Sequence, residues 1–84
     1  MMMDAVIPEE LMRDIPYMTL IGDSSLYIEH HHGMVSYCPE RIIFETGCGL
    51  IKISGRNLIV ERYTASEAGL KGKIDAVTVH ESGR

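Results

Sequence analysis

The chain is short of nearly everything from which a catalytic or nucleic-acid-binding domain is built. It has no tryptophan and one phenylalanine among 84 residues, so its core must be aliphatic: Ile, Leu, Val and Met. Positive charge is scarce, with eight Lys and Arg against twelve Asp and Glu and a net charge of -4. Lys71 and Lys73 are isolated, and Arg56 and Arg62 are spaced along a strand-like run. Nucleic-acid binders draw much of their affinity from a basic stripe that neutralises phosphates, so no nucleic-acid partner is expected. No run of about 18 apolar residues occurs, so no helix is expected to span a membrane. The stretch MMMDAVIPEELMRD has no basic start and no long apolar run. It does not read as a signal peptide, and the expected compartment is the cytoplasm. Two cysteines in such a chain are expected to be free thiols.

The length allows one small domain, which buries only about 60% of the surface its unfolded chain exposes. A deep enclosed active site is therefore not expected. The expected limits are a flexible start over 1–5, one domain over 6–80 and a flexible end over 81–84.

Pro8 suits the first position of a helix, where its missing N–H costs nothing. Glu9 and Glu10 then face the positive end of the helix. Leu11, Met12 and Ile15 would form a short apolar stripe, and Pro16 ends it. A helix this short needs to dock on something.

After Pro16 the chain reads as strands. The runs are Tyr17–Ile21, Leu26–Glu29, Met34–Tyr37, Arg41–Thr46, Leu50–Ser54 and Leu58–Arg62. Leu70 to Val79 reads as one long strand or two short ones nicked at Gly72. The breaks are GDSS, the histidines with Gly33, CPE, GCG, SGRN and a polar stretch Thr64–Ala68. Short apolar runs with turn residues every 8 to 12 positions mark an all-β fold. The expected architecture is a small antiparallel meander forming a sandwich or partly open barrel, with one short N-terminal helix. The expected core is Leu20, Leu26, Ile28, Ile42, Phe44, Ile51, Ile53, Leu58, Val60 and Ile74. Where both faces are apolar, as in RIIF and NLIV, the strand is expected to be covered on both sides.

The order of these motifs carries a resemblance. IPYMTLIG, then LYIEHHHGM, then Tyr37, Glu40, Ile42, Phe44 and Thr46, then Gly49 to Ile59 with Gly55 and Leu58 in register, and finally Leu70, Gly72 and Ile74 follow one series. The chain resembles the YabP/YqfC family of sporulation proteins, the YqfC type in particular, over residues 6–77. The resemblance implies a role in endospore formation, in coat assembly or the mother-cell programme around the forespore. It implies protein partners, among them a membrane-bound sporulation protein, and no catalytic residue. His30 and His32 depart from the family pattern; only His31 coincides.

Three adjacent histidines invite a metal site, since imidazole is the commonest metal ligand. Successive strand residues point to opposite faces, so at most two of His30, His31 and His32 can converge. In an up-and-down meander they share one end of the sheet with Cys48, roughly 10 Å away across two strand spacings. That leaves a weak metal rim as the candidate and a hairpin corner, bent by Gly33, as the plain reading. The same meander puts Cys38 and Cys48 at opposite ends, about 15–20 Å apart, beyond disulfide reach. The acids form no carboxylate pair beyond Glu9–Glu10, and GCG and SGRN lack the residues of a phosphate loop.

Two functions follow. The first is a non-enzymatic assembly or interaction module, without cofactor, that recruits a partner or another copy of itself through an exposed strand edge or apolar sheet face. Met18 and Met1–Met3 offer adaptable contacts for it. The second is a small ligand- or metal-binding β-module using the His30–His32 rim.

Overall fold

A computed structural model describes residues 14–81. These residues form six strands: β1 Tyr17–Ile21, β2 Ser25–Glu29, β3 His31–Cys38, β4 Arg41–Thr46, β5 Gly49–Tyr63 and β6 Glu67–His80. All pairings are antiparallel, in the order β1-β2-β6-β5-β4-β3. There is no helix among the described residues. The helix expected over Pro8–Ile15 lies outside them except for Asp14 and Ile15, which are not helical.

The all-β expectation holds, but the meander is corrected. β3 to β6 do run as a meander, whereas β2 leaves β3 and pairs with β6. The stretch YIEHHHGMVSY is therefore a crossover, not a hairpin. His30 makes the corner in a left-handed conformation (φ 68), and Gly33 (φ 144) lies inside β3 at a register shift. The backbone N–H groups of His30 and His31 donate to the Ser66 carbonyl at 2.6 and 3.1 Å, tying the crossover to the β5–β6 turn.

The expected SGRN turn is also absent, because β5 runs through it as one strand of 15 residues. Both long strands bend instead. Asn57 takes a left-handed conformation (φ 55), which asparagine tolerates better than most residues. Gly72 has φ 135. At Gly55 a Cβ would collide with the Lys73 carbonyl oxygen, and at Gly72 with the Asn57 carbonyl oxygen. Register shifts cluster here, between Ser54/Gly55, Arg56/Ile59 and Val60/Arg62. Such bulges bend a strand and increase its twist.

Each bend is held by the turn of a hairpin. Gly72 and Ile74 donate N–H bonds to Ser24 and Asp23 in the β1–β2 turn, at 3.2 and 2.7 Å. Gly55 and Leu58 donate to Glu40 and Pro39 in the β3–β4 turn, at 3.0 and 2.8 Å.

The sheet thus folds over on itself into two layers without closing. One layer holds β1, β2, the first half of β6 and the second half of β5. The other holds β3, β4, the first half of β5 and the second half of β6. One apolar cluster fills the space between: Leu26, Ile28, Ile42, Phe44, Ile51, Ile53, Leu58, Ala68, Leu70 and Ile74.

Eight of the ten expected core residues lie in that cluster. Val60 is half-buried against it. Leu20 is the correction, at 52% exposed. Ala68, Leu70, His31 and Thr46 are buried without having been expected. Nor is NLIV covered on both faces, since Ile59 is exposed.

The candidate docking edge and the histidine rim

Residues paired across an antiparallel sheet point to the same face, so the registers define the rows that line the core. In the first layer these are Met18–Ile28–Ala68–Tyr63 and Leu20–Leu26–Leu70–Val60. In the second they are Met34–Phe44–Ile51–Val79 and Tyr37–Ile42–Ile53–Val77. The middle members of every row are buried. The end members line two seams, where the edge of one layer meets the free side of a long strand in the other.

The seam of β3 and the second half of β5 is tied shut by two hydrogen bonds, although Tyr37 and Tyr63 themselves remain 46% and 47% exposed. The Tyr63 hydroxyl accepts the Met34 backbone N–H at 3.2 Å, and the Tyr37 hydroxyl donates to the Leu58 carbonyl at 3.0 Å. His31, 2% exposed, fills the space behind, 5.1 Å from Phe44 and 5.2 Å from Tyr63 between ring centroids. The seam of β1 and the second half of β6 has no such closure among the described residues. Met18 is 38% exposed, Leu20 52% and Val79 53%, although all three lie on the core side of the sheet.

The outer side of β1 is apolar too, with Tyr17 and Ile21 exposed. All five residues of β1 are exposed, and none is charged. Exposed edges of native sheets are usually protected by charge, proline or a bulge. β1 pairs with β2 without a register shift, and Pro16 stands just outside it.

The three histidines diverge. His31 points into the core, and neither ring nitrogen has a hydrogen-bond partner among the described residues. His30 lies against Tyr17 at 5.3 Å, with its Nδ1 3.2 Å from the Ile15 carbonyl. His32 turns to the surface, its Nε2 2.6 Å from the Asp14 carboxylate. Cys48 is exposed in the β4–β5 turn, where its N–H donates to Thr46 Oγ1 at 3.1 Å. His31 pairs with Thr46 directly, so the rim lies one strand from that turn and not two as expected. The imidazoles nonetheless point three ways. No group of three or more His, Cys, Asp or Glu side chains gathers into a metal-binding arrangement among the described residues. Cys38 and Cys48 are free thiols.

A shallow groove of about 230 Å³ lies on the outer face beside β1, lined by Thr19, Tyr27, Glu29, Arg62 and Glu67. Its Arg62–Glu67 ion pair spans 3.4 Å. Ligand pockets are generally larger, from about 300 Å³ upward, and this one holds no nucleophile beside a base.

Sequence reasoning missed both seams. The signal present was the placement of Tyr37 and Tyr63, two of four tyrosines in a chain poor in aromatics, on the strands that form one of them.

The fold and its surface define a small antiparallel β domain whose distinctive feature is an edge left uncovered among the described residues. The YabP family model matches residues 14–84, and the chain belongs to that family. It is 33% identical over 76 residues to the "Uncharacterized protein YqfC" of Bacillus subtilis (strain 168), covering 90% of this chain and 82% of that protein. Family membership implies a sporulation-related protein. No helix among the described residues is long and apolar enough to cross a membrane.

Proposed function

We propose that this is a non-enzymatic assembly protein of endospore formation, which joins a protein partner by strand addition at β1. One observation carries the reading. Met18 and Leu20 line the core side of an uncharged edge that no described residue protects, and both are exposed. Strand addition supplies affinity through main-chain hydrogen bonds and specificity through alternate side chains, and β1 offers both. The partners are sporulation proteins, among them another copy of this chain and a protein bound to a membrane. The place of action is the mother-cell cytoplasm, at the forespore or coat surface. The diverging imidazoles give the His30–His32 rim no support as a competing metal site.

The test is genetic. Leu20→Lys, introduced into the native copy in a sporulating host, is expected to lower the yield of heat-resistant spores. Ile59→Lys, at an equally exposed apolar position on β5, is expected to leave the yield near that of the parent. Normal sporulation with Leu20→Lys present at native abundance would overturn the reading.

A further inference from the structure

We infer that the strand added at β1 is the β1 of a second copy, antiparallel and centred on Thr19, so that the protein is a dimer built on one continuous sheet. The inference rests on the docking edge proposed above and names its occupant.

The strand is complementary to itself. Antiparallel pairing about Thr19 sets Met18 opposite Leu20 of the partner subunit on the core side. On the outer side it sets Tyr17 opposite the partner's Ile21, and Thr19 opposite the partner's Thr19. Apolar meets apolar at every position except the central pair, where two threonines suit a cross-strand contact. No charge is placed opposite a like charge, although each chain carries -4 overall. A pairing partner of unrelated sequence would be under no such constraint on both faces at once.

The core rows become continuous across the joint. Leu70–Leu26–Leu20 of one copy runs into Met18–Ile28–Ala68 of the other. The two-fold axis of an antiparallel pair stands normal to the sheet, so both core faces lie on the same side of the joint. The open seams of the two copies, each with its exposed Val79, are then neighbours.

The surface available is modest. Tyr17, Met18, Leu20, Ile21 and Val79 of each copy together offer on the order of 1,000 Å², the lower bound for a specific interface. Area alone does not set affinity, so a weak dimer is expected and association is followed from about micromolar to about millimolar protein.

Sedimentation of the full chain across that range, with crosslinking, tests it. The mass is expected to rise from monomer to dimer, and Leu20→Lys to hold it at monomer. In a Cys38→Ser, Cys48→Ser background, Thr19→Cys is expected to form a disulfide-linked dimer under mild oxidation. Directly opposed residues in an antiparallel pair stand about 4.5–5.5 Å apart, within disulfide reach. Ala76→Cys, exposed on the outer face of β6, is the control.

A chain that stays monomeric throughout, or a Thr19→Cys variant that crosslinks no faster than Ala76→Cys, overturns self-pairing. If Leu20→Lys still lowers the spore yield in that case, the docking edge stands and its occupant is a different chain. If sporulation is also normal, both readings fall.

Discussion

Tyr37 and Tyr63 tie one seam of the folded sheet shut with hydrogen bonds, while Leu20 and Val79 occupy the matching positions on the other, which stays open among the described residues. The match follows from the registers. Met18 corresponds to Met34, Ile28 to Phe44, Ala68 to Ile51 and Tyr63 to Val79 along one row. Leu20 corresponds to Tyr37, Leu26 to Ile42, Leu70 to Ile53 and Val60 to Val77 along the other. The two halves are one design used twice, and they differ at their ends. In the shut seam each strand carries an extra residue: Met34 to Tyr37 and Val60 to Tyr63 span three positions, at register shifts. Met18 to Leu20 and Val77 to Val79 span two, with none. A bulge twists its strand and re-aims a side chain. The bulged strands bring two hydroxyls across the gap, and the regular ones present an edge. Closure and docking are alternative uses of the same position.

The largest test removes the core behind the shut seam. Phe44→Ala is expected to cost about 3–5 kcal/mol, the usual range for truncating a fully buried phenylalanine. Leu20→Ala, on the core side of the open seam, is expected to cost no more than about 0.5 kcal/mol, as at an exposed position. Urea unfolding at dilute protein measures both. Similar losses would mean that the open seam is covered in solution.

Next comes the closure itself. Tyr63→Phe keeps the ring beside His31 but removes the acceptor of the Met34 N–H. A loss of about 0.5–1.5 kcal/mol is expected, the net worth of one hydrogen bond. An unchanged midpoint would show that the hydroxyl does not hold the seam.

His31 sharpens the comparison in the opposite direction. Both of its ring nitrogens are buried without a partner among the described residues, and an unsatisfied buried polar group costs about 1–3 kcal/mol. His31→Phe is expected to keep the aromatic contacts and raise stability by roughly 1 kcal/mol. A loss of that size would show that the ring nitrogens have partners, water included.

The parts of this fold legible in the sequence are those set by local alternation. In LIKIS, Ile51 and Ile53 face the core and Lys52 does not, as a period of two requires. Tyr17–Ile21 and Arg41–Thr46 have their expected limits. What could not be read depends on distant pairing. SGRN has the composition of a turn, yet it is a bend, because the β3–β4 turn supplies hydrogen bonds to Gly55 and Leu58. The histidine run has the composition of a corner or a metal site, yet β2 finds its partner in β6, some 40 residues on. Leu20 alternates as a core residue and points to the core face, but no local pattern tells that its layer ends there.

The smallest effect is expected at the turn that anchors the open edge. Lys73 donates to the exposed carboxylate of Asp23 in the β1–β2 turn. That bond first, and the ammonium charge second, hold the Asp23 carboxyl below the usual carboxylate range. The folded chain therefore takes up this proton less readily than the unfolded one. The contribution to stability is present above the ordinary carboxylate range and is lost as pH falls through the lowered folded value. The matching turn at Pro39–Glu40 has no ion pair among the described residues and is tied to β5 by backbone bonds. Because the pair is exposed, salt should screen it. Urea unfolding of the native chain and of Lys73→Met, followed down through the carboxylate range at low and high salt, separates the two hairpins. The native chain is expected to lose slightly more stability on acidification than the variant, with the difference fading in high salt. Equal losses would show that the Asp23–Lys73 pair does not hold the turn on which the docking edge is mounted.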